Sequence, residues 1–194
     1  GAVLIGSVGL VLLYKWVPVP VTATMLMDSN GMDKDWTPLS RIDRNMVSAA
    51  IAAEDGKFCS HGGFDTEAIE KAIERNAKGG RIRGGSTISQ QTAKNVFLWQ
   101  DGGFFRKGLE AWFTVLIESM WGKRRIMEVY LNVIEMGPGI YGAEAASQKY
   151  FGHSAKKLTR AEAALLAAAL PDPRRRNPAR PTSYLKKRQG QILR

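Results

Sequence analysis

Three short stretches of the chain carry the residue types that acid–base and anion chemistry require. Residues 54–65 read E-D-G-K-F-C-S-H-G-G-F-D and place two adjacent carboxylates where an apolar helix is predicted to end. Residues 84–95 read G-G-S-T-I-S-Q-Q-T-A-K-N, a glycine-rich turn that opens a helix bearing amides and a lysine. Residues 106–110 read R-K-G-L-E. Two separated carboxylates with cationic groups between them are suited to moving a sugar off a phosphate leaving group.

Glu54 is the candidate general base of the first stretch. It follows Ile51 by three residues and Ala50 by four, so its side chain projects near the apolar face of the predicted helix. Partial burial raises the pKa of a carboxyl group toward the range in which a general base works. The alternative is an ordinary exposed carboxylate at a helix end.

The residues after Glu54 are predicted to support the site. Asp55 is expected to accept hydrogen bonds from the turn that follows it. His61 is expected to brace the loop, and the role of a proton shuttle is the alternative.

The second stretch favours anion binding. Its G-G-S-T turn leaves free backbone N–H groups at a helix N-terminus, which attract negative charge. Behind the turn, Gln91, Lys94 and Asn95 share one helical face. The alternative is an ordinary capped helix with a solvated face.

The third stretch places two cations within reach of Glu110. Arg106 precedes Glu110 by four residues and Lys107 precedes it by three. Surface ion pairs at these spacings stabilise a helix by a few tenths of a kcal/mol, about 0.2–0.5 per pair. The functional interpretation is a carboxylate held by cations that also grip a diphosphate.

The hydrophobic pattern from Ser40 onward predicts helices almost throughout and no convincing sheet. Residues 21–27 alternate weakly and are predicted to be a short extended stretch. The predicted helices run from a Ser40 cap to Glu54, from an Asp65 cap to Gly79-Gly80, from a Thr87–Gln90 capping box to about Leu98, over 104–120, over 126–134, from a Thr159–Glu162 capping box to Pro171, and over a short terminal stretch.

Composition indicates a folded protein with an anionic partner. The chain has 194 residues, 44% of them hydrophobic, which suggests one main domain and excludes extensive disorder. The net charge of +10, from 28 basic and 18 acidic residues, favours either an anionic membrane surface with a phosphorylated substrate or nucleic acid. Cys59 is the single cysteine, so an internal disulfide is excluded, and with only two histidines a structural zinc site is not expected.

The N-terminus is predicted to be a membrane anchor. Residues 1–13 are an unbroken run of small and apolar residues, followed by Tyr14, Lys15 and Trp16 as an interfacial flank. The run is shorter than the roughly 20 residues that span a bilayer, so we interpret it as the outer part of a transmembrane helix. A signal-peptide core and a buried helix are the alternatives.

Five ordered blocks of the chain resemble the peptidoglycan glycosyltransferases of glycosyltransferase family 51, the transglycosylases that polymerise lipid II. The family patterns E-D-x-x-F-x-x-H-x-G-F-D, G-G-S-T-I-x-Q-Q-x-x-K-N and R-K-x-x-E are matched by residues 54–65, 84–95 and 106–110. The remaining blocks are residues 125–132 and 163–178. The sequence ends soon after the fifth block, so it is similar to the monofunctional type. It departs from bifunctional relatives at residues 133–136, V-I-E-M.

The resemblance implies a mostly α fold, with a lysozyme-like helical head and a small membrane-associated lobe. Residues 1–20 would be a shortened transmembrane anchor and linker, and residues 21–194 the glycosyltransferase domain. The protein would cross the bacterial cytoplasmic membrane once, with its catalytic domain on the outer, periplasmic side. Six aromatic residues are the candidate membrane contact: Phe97, Trp99, Phe104, Phe105, Trp112 and Phe113.

The resemblance also implies a reaction and a site. The 4-hydroxyl of an acceptor GlcNAc would attack C1 of the donor MurNAc with inversion, and undecaprenyl diphosphate would leave. Glu54 would be the base and Glu110 the second catalytic carboxylate, with Asp55, Phe58 and His61 as support. The implied substrate-binding residues are Ser86, Thr87, Gln90, Gln91, Lys94, Asn95, Arg106 and Lys107.

The implied partners are lipid II, the growing lipid-linked strand and the cytoplasmic membrane, with the inhibitor moenomycin as a ligand and no nucleic acid. Other cell-wall synthesis proteins stay open as partners. No cofactor is certain, and a divalent metal, Mg or Mn, at the diphosphate stays open. The alternative functions are a lysozyme-like hydrolase or lytic transglycosylase, and a non-catalytic basic membrane adaptor.

Overall fold

A computed structural model describes residues 1–79 and 85–194 of the chain. The described residues are mostly helical, as the sequence predicts. Their α-helices are α1 (Ala2–Trp16), α2 (Ala23–Met27), α3 (Arg44–Glu54), α4 (Thr66–Ala77), α5 (Ile88–Phe97), α6 (Phe104–Met120), α7 (Lys123–Val133), α8 (Ala143–Phe151), α9 (Arg160–Ala169) and α10 (Ser183–Ile192).

Two groups of packed helices form the core. Helix α5 packs against α6 and α7, and its Ile88, Ala93 and Val96 are buried. In the second group α3 packs on α9, and α9 packs on α10. Alanines dominate the facing surfaces of α3 and α9, and small side chains let helix axes approach closely. The close approach fixes the end of α3, where Glu54 lies.

Local capping signals account for most helix starts. The capping boxes of α5 (Thr87 with Gln90) and α9 (Thr159 with Glu162) are confirmed. The predicted Ser40 cap is wrong. Ser40 lies in a 3₁₀ turn, and Asp43 caps α3 by accepting a hydrogen bond from the Asn45 N–H at 2.8 Å. The cap shifted because a carboxylate nearer the helix satisfies its first free N–H groups.

The remaining caps bracket the second motif. Asp65 caps α4, as predicted, by accepting a hydrogen bond from the Ala68 N–H at 3.0 Å. Helix α4 ends at Ala77, close to the predicted Gly79-Gly80 stop. Gly80 and Gly84 lie outside the described residues, and with them part of the predicted glycine-rich turn.

A small sheet was not predicted. Strands β1 (Asp33–Lys34), β2 (Glu135–Gly137) and β3 (Ile140–Tyr141) form it in the order β1-β3-β2. Strand β1 pairs with β3 in parallel, and β2 pairs with β3 antiparallel around the Gly137-Pro138-Gly139 turn. Strands of two or three residues are too short to show an alternating pattern, so the sequence could not reveal them.

Residues 21–27 are also described differently from the prediction. They contain α2, which Thr22 caps by accepting a hydrogen bond from the Met25 N–H at 3.3 Å. The prediction of an extended stretch was wrong because a helix of five residues is too short to show a hydrophobic period. Its start is set by the capping residue instead.

Helix α1 lies along α6. The Trp112 indole N–H donates to Ser7 Oγ at 3.0 Å, and the Trp121 indole N–H donates to the Val11 carbonyl at 2.7 Å. Val11 is fully buried, whereas Val3 and Ile5 are more than 70% exposed. Within residues 1–79 and 85–194, no helix is both long enough and apolar enough to cross a membrane.

Candidate active site

A cavity of about 800 Å³ opens beside the C-terminal end of α3. Its walls come from α2, α5, the β2–β3 region and the segment after α9. Its lining includes the predicted residues Glu54, Ser86, Gln91, Lys94 and Asn95. The first two sequence motifs therefore meet in one cavity, although about 30 residues separate them in the chain.

Glu54 is the last residue of α3, and its side chain faces the cavity. Burial raises the pKa of its carboxyl group, which is the direction that a general base requires. The Gln91 side-chain amide opposes this shift by donating to Glu54 Oε2 at 3.3 Å. Gln91 in turn accepts a hydrogen bond from the buried Tyr130 hydroxyl at 3.5 Å.

Asp55 joins the first motif to the second. Its Oδ2 accepts hydrogen bonds from the Ile88 N–H at 3.0 Å and from His61 Nε2 at 2.6 Å. The His61 Nδ1 atom accepts a hydrogen bond from the Gly63 N–H at 2.9 Å, so Nε2 carries the hydrogen and donates the hydrogen bond to Asp55. The carboxylate thereby fixes the start of α5 relative to the end of α3.

Phe58 and Lys123 complete the loop after Asp55. Phe58 is buried, and its ring meets the His61 ring edge-on at 6.1 Å. The Lys123 ammonium lies 5.0 Å from the Phe58 ring centroid and donates to the His61 carbonyl at 2.6 Å. Asp55, Phe58 and His61 thus stabilise the loop that follows Glu54, and none of them lines the cavity.

Thr87 and Gln90 are occupied by the capping box of α5. The Thr87 hydroxyl donates to the Gly63 carbonyl at 2.7 Å, and Gln90 Oε1 accepts from the Thr87 N–H at 2.9 Å. Both side chains are buried, and the structure does not bring them to the cavity.

Glu110 binds two cations of its own helix, α6. Its carboxylate is buried and accepts hydrogen bonds from Arg106 Nη1 at 3.0 Å and Lys107 Nζ at 2.8 Å. Lys94, on α5, interacts electrostatically with Glu110, Arg106 and Lys107. Burial lowers the pKa of the Lys94 ammonium, and the Glu110 charge opposes that shift. Arg106, Lys107 and Glu110 are not among the residues that line the cavity.

The opposite wall carries charged residues that the sequence did not single out. Arg174 Nε donates to Glu135 Oε1 at 2.9 Å, and Arg174 Nη2 lies 3.6 Å from Asp28 Oδ2. The Tyr141 hydroxyl donates to the same Asp28 oxygen at 2.7 Å. The run of three arginines at 174–176 was the available signal, but a charge run does not reveal which member faces a cavity.

Over residues 1–79 and 85–194, no group of three or more His, Cys, Asp or Glu side chains could hold a metal ion. Glu54 accepts a hydrogen bond from the Gln91 amide, and Glu110 already accepts two charged hydrogen bonds. These residues do not form a metal site by themselves. The divalent metal at a diphosphate therefore stays a prediction.

A partly buried glutamate with a raised pKa shares one cavity with Lys94 and amide side chains in a mostly helical domain, an arrangement typical of enzymes that use a carboxylate as a general acid or base. The comparison with known families agrees with that class. The family model described as Transglycosylase matches residues 21–194, and the chain belongs to this family.

Several relatives share most of the chain, and each is described as a biosynthetic peptidoglycan transglycosylase. The protein from Caulobacter vibrioides is 57% identical over 190 residues, which cover 96% of this chain and 83% of the relative. The protein from Bdellovibrio bacteriovorus is 54% identical, over 97% of this chain and 79% of the relative. The protein from Shewanella oneidensis is 59% identical, over 81% of this chain and 67% of the relative.

The hydrogen bonds of Asp55 lead to a stability prediction. The Asp55→Ala substitution leaves the buried Ile88 N–H and His61 without their acceptor. We expect the free energy of unfolding to fall by about 2–3 kcal/mol in urea titrations, because a buried donor without a partner costs about 1–3 kcal/mol. The matched control is Asp33→Ala, at an exposed position of β1. An equal loss of unfolding free energy in the two variants would contradict a stabilising role for the hydrogen bonds of Asp55.

Proposed function

We propose that the protein is a peptidoglycan glycosyltransferase that polymerises lipid II into glycan strands. The observation that carries the proposal is the position of Glu54, a carboxylate whose pKa burial raises, in one cavity with Lys94. The family membership and the descriptions of the relatives support the same activity.

The mechanism follows from the two ends of the site. The 4-hydroxyl oxygen of the acceptor GlcNAc attacks C1 of the donor MurNAc, and Glu54 takes the hydroxyl proton. The bond from C1 to the phosphate oxygen breaks, and undecaprenyl diphosphate leaves with the electron pair. A single displacement, without a covalent intermediate on the enzyme, inverts the configuration at C1.

The cations on α5 and α6 suit the leaving group. A diphosphate leaves as an anion, so it needs charge stabilisation more than it needs a proton. Lys94 lines the cavity and is electrostatically coupled to Arg106 and Lys107, which contact Glu110. Arg106 Nε is a buried donor with no acceptor in the described part of the chain, and a phosphate oxygen would satisfy it. Glu110 holds the two α6 cations in place.

The alternative functions account for less of the site. A hydrolase or lytic transglycosylase also uses a glutamate, but it cleaves a neutral polymer and has no use for cations grouped around Lys94. A non-catalytic adaptor needs no carboxylate whose pKa is raised by burial. We therefore favour transfer from a diphosphate donor.

We further propose that the enzyme works at the cell envelope on the outer face of the cytoplasmic membrane, as its lipid-linked substrate requires. Phe104 and Phe105, at the start of α6, are 99% and 78% exposed, and Trp99 is 43% exposed. The other three aromatic residues proposed for membrane contact are partly buried, because Phe97 stacks on Phe113 at 4.5 Å and Trp112 donates a hydrogen bond to Ser7 of α1. The membrane-contacting surface is therefore reduced to Trp99, Phe104 and Phe105.

The first prediction of this proposal concerns the base. Glu54→Gln keeps the shape of the side chain but cannot accept the proton, so polymerisation of lipid II should fall by about 10²–10⁴-fold. The measurement is the rate of glycan formation by purified protein. The control is Glu70→Gln, at an exposed position of α4. A Glu54→Gln variant that keeps more than about a tenth of the rate would refute the assignment.

The second prediction concerns the diphosphate. Lys94→Ala and Arg106→Ala should weaken the binding of lipid II or moenomycin by about 10–100-fold, since a charge-assisted hydrogen bond is worth about 1.5–3 kcal/mol. Binding of a disaccharide fragment without phosphate should change little. The control is Lys78→Ala, at an exposed position after α4. Equal losses with both ligands would indicate a folding defect instead.

The third prediction concerns the membrane. Replacing Phe104 and Phe105 together by Ser in the full chain should weaken co-sedimentation with anionic vesicles by at least about tenfold, because burial of each aromatic side chain contributes about 1.5–3 kcal/mol. High salt should weaken binding further by screening the basic surface. The control is Ile73→Ser, which alters an exposed apolar residue of α4. Unchanged vesicle binding in the double variant would exclude this surface.

A further inference from the structure

The C-terminal helix α10 reaches back to the helix that carries the base. Arg188 Nη2 donates a hydrogen bond to the Ala53 carbonyl at 3.2 Å, and Arg188 Nη1 donates to Gln191 Oε1 at 3.2 Å. Ala53 immediately precedes Glu54 in the last turn of α3. Carbonyls in the last turn of a helix lack partners within the helix, and a cation there also complements the helix dipole. Arg188 therefore caps α3 at the residue next to the base.

A second arginine approaches Glu54 from the segment after α9. Arg176 Nη1 donates to the Ala168 carbonyl at 3.0 Å, and its guanidinium lies 4.9 Å from the centroid of the Tyr184 ring. Tyr184 belongs to the first turn of α10, so the same helix holds both arginines.

The partners of these arginines are neutral. Among the described residues, Arg188 and Arg176 form no ion pair with a carboxylate; they bind carbonyls, an amide and an aromatic ring. By contrast, Arg106 is paired with Glu110 and Arg174 with Glu135. The charges of Arg188 and Arg176 are therefore not neutralised locally and act on Glu54.

The groups that face Glu54 divide into two sets. Burial raises the pKa of its carboxyl group, and the neighbouring Asp55 charge adds to that increase. The Gln91 amide on α5 and the two arginines lower the pKa. Lys94 on α5 is coupled to the Glu54 charge, and the buried Tyr130 on α7 contacts it through Gln91. The arginines are thus the positive charges that oppose, from the side of α9 and α10, the increase in the Glu54 pKa that burial causes.

We propose that Arg188 is a positioning residue for the base, which fixes the last turn of α3 and holds Glu54 as a carboxylate ready to accept a proton. Arg176 assists by adding a second positive charge and by fixing the start of α10 through Tyr184. The proposal rests on the proposed function, because it assigns Arg188 a role in the action of Glu54 on lipid II.

The packing of α10 makes this role possible. Leu185 and Ile192 of α10 are buried, and α10 packs on α9, which in turn packs on α3. Arg188 lies on the same helix and extends from this anchored surface to the end of α3. The adjacent Lys187 is exposed and provides a matched control on the same helix.

The test is the pH dependence of lipid II polymerisation by the full chain between pH 5 and 9. Arg188→Gln retains a side-chain donor for the Ala53 carbonyl but removes the charge, and Arg188→Met removes both. Loss of the cation raises the pKa of Glu54, so activity is lost at a higher pH as the solution is acidified. We expect the acid limb of both variants to move up by about half to one pH unit. The rate deficit should shrink as the pH rises, because Glu54 then becomes ionised in every variant.

Two further variants make the test specific. Arg188→Lys keeps the charge and should keep the acid limb of the unaltered protein. Lys187→Met should change neither the rate nor the pH profile. An unshifted acid limb in Arg188→Gln, with thermal stability and rate reduced in parallel at every pH, would overturn the proposal in favour of a purely structural role. An Arg188→Gln variant with the unaltered rate and profile would also overturn it.

Failure of this proposal can be distinguished from failure of the proposed function. If the unaltered protein polymerises lipid II and Glu54→Gln does not, the function stands whatever Arg188 does. If Glu54→Gln retains full activity, Glu54 is not the base and the positioning role fails with it.

Discussion

The Asp55 carboxylate is the interaction on which the site depends. It accepts one hydrogen bond from the Ile88 N–H at the start of α5 and another from His61 Nε2 in the loop after α3. Asp55 is also the C-cap residue of α3. A buried carboxylate with charge-assisted hydrogen bonds is strongly directional, since any displacement leaves donors without a partner. Glu54 and the lysine face of α5 are therefore held at a defined separation. The two motifs lie on helices from different packed groups, and the hydrogen bonds of Asp55 connect these groups directly.

The charges of the site are arranged so that cations and the base do not neutralise each other. Glu110 accepts hydrogen bonds from Arg106 and Lys107, which fixes two cations at α6 while Lys94 projects into the cavity. Glu54 accepts from the neutral Gln91 amide instead, at 3.3 Å. A carboxylate paired directly with a cation would have a lower pKa and would be a weaker base. In the proposed mechanism, this separation allows a base and an anion-binding surface to share one cavity.

Two features stabilise the C-terminal end of α3. One is the small side chains between α3 and α9, and the other is the C-terminal helix α10. Alanines on both helices allow close packing, and α10 then covers α9 and supplies a hydrogen bond to the Ala53 carbonyl. The last turn of a helix ordinarily frays because its carbonyls lack partners. Here the backbone next to Glu54 has one from a distant element. Rigid support of this kind is what a positioned general base requires, because misplacement by about 1 Å costs much of the rate.

The sequence alone determined the helices with strong periodicity, the capping boxes at Thr87 and Thr159, and the residue types that chemistry needs at Glu54, Lys94 and Glu110. These features are local, since a cap or an apolar stripe is complete within about ten residues. The sequence could not give the three short strands, and it could not show that Asp43 rather than Ser40 caps α3. Nor could it show which arginines of the basic tail face Glu54. Those outcomes depend on contacts between distant segments, and only the tertiary structure decided them, because packing and hydrogen-bond competition select among partners that the local sequence leaves equivalent.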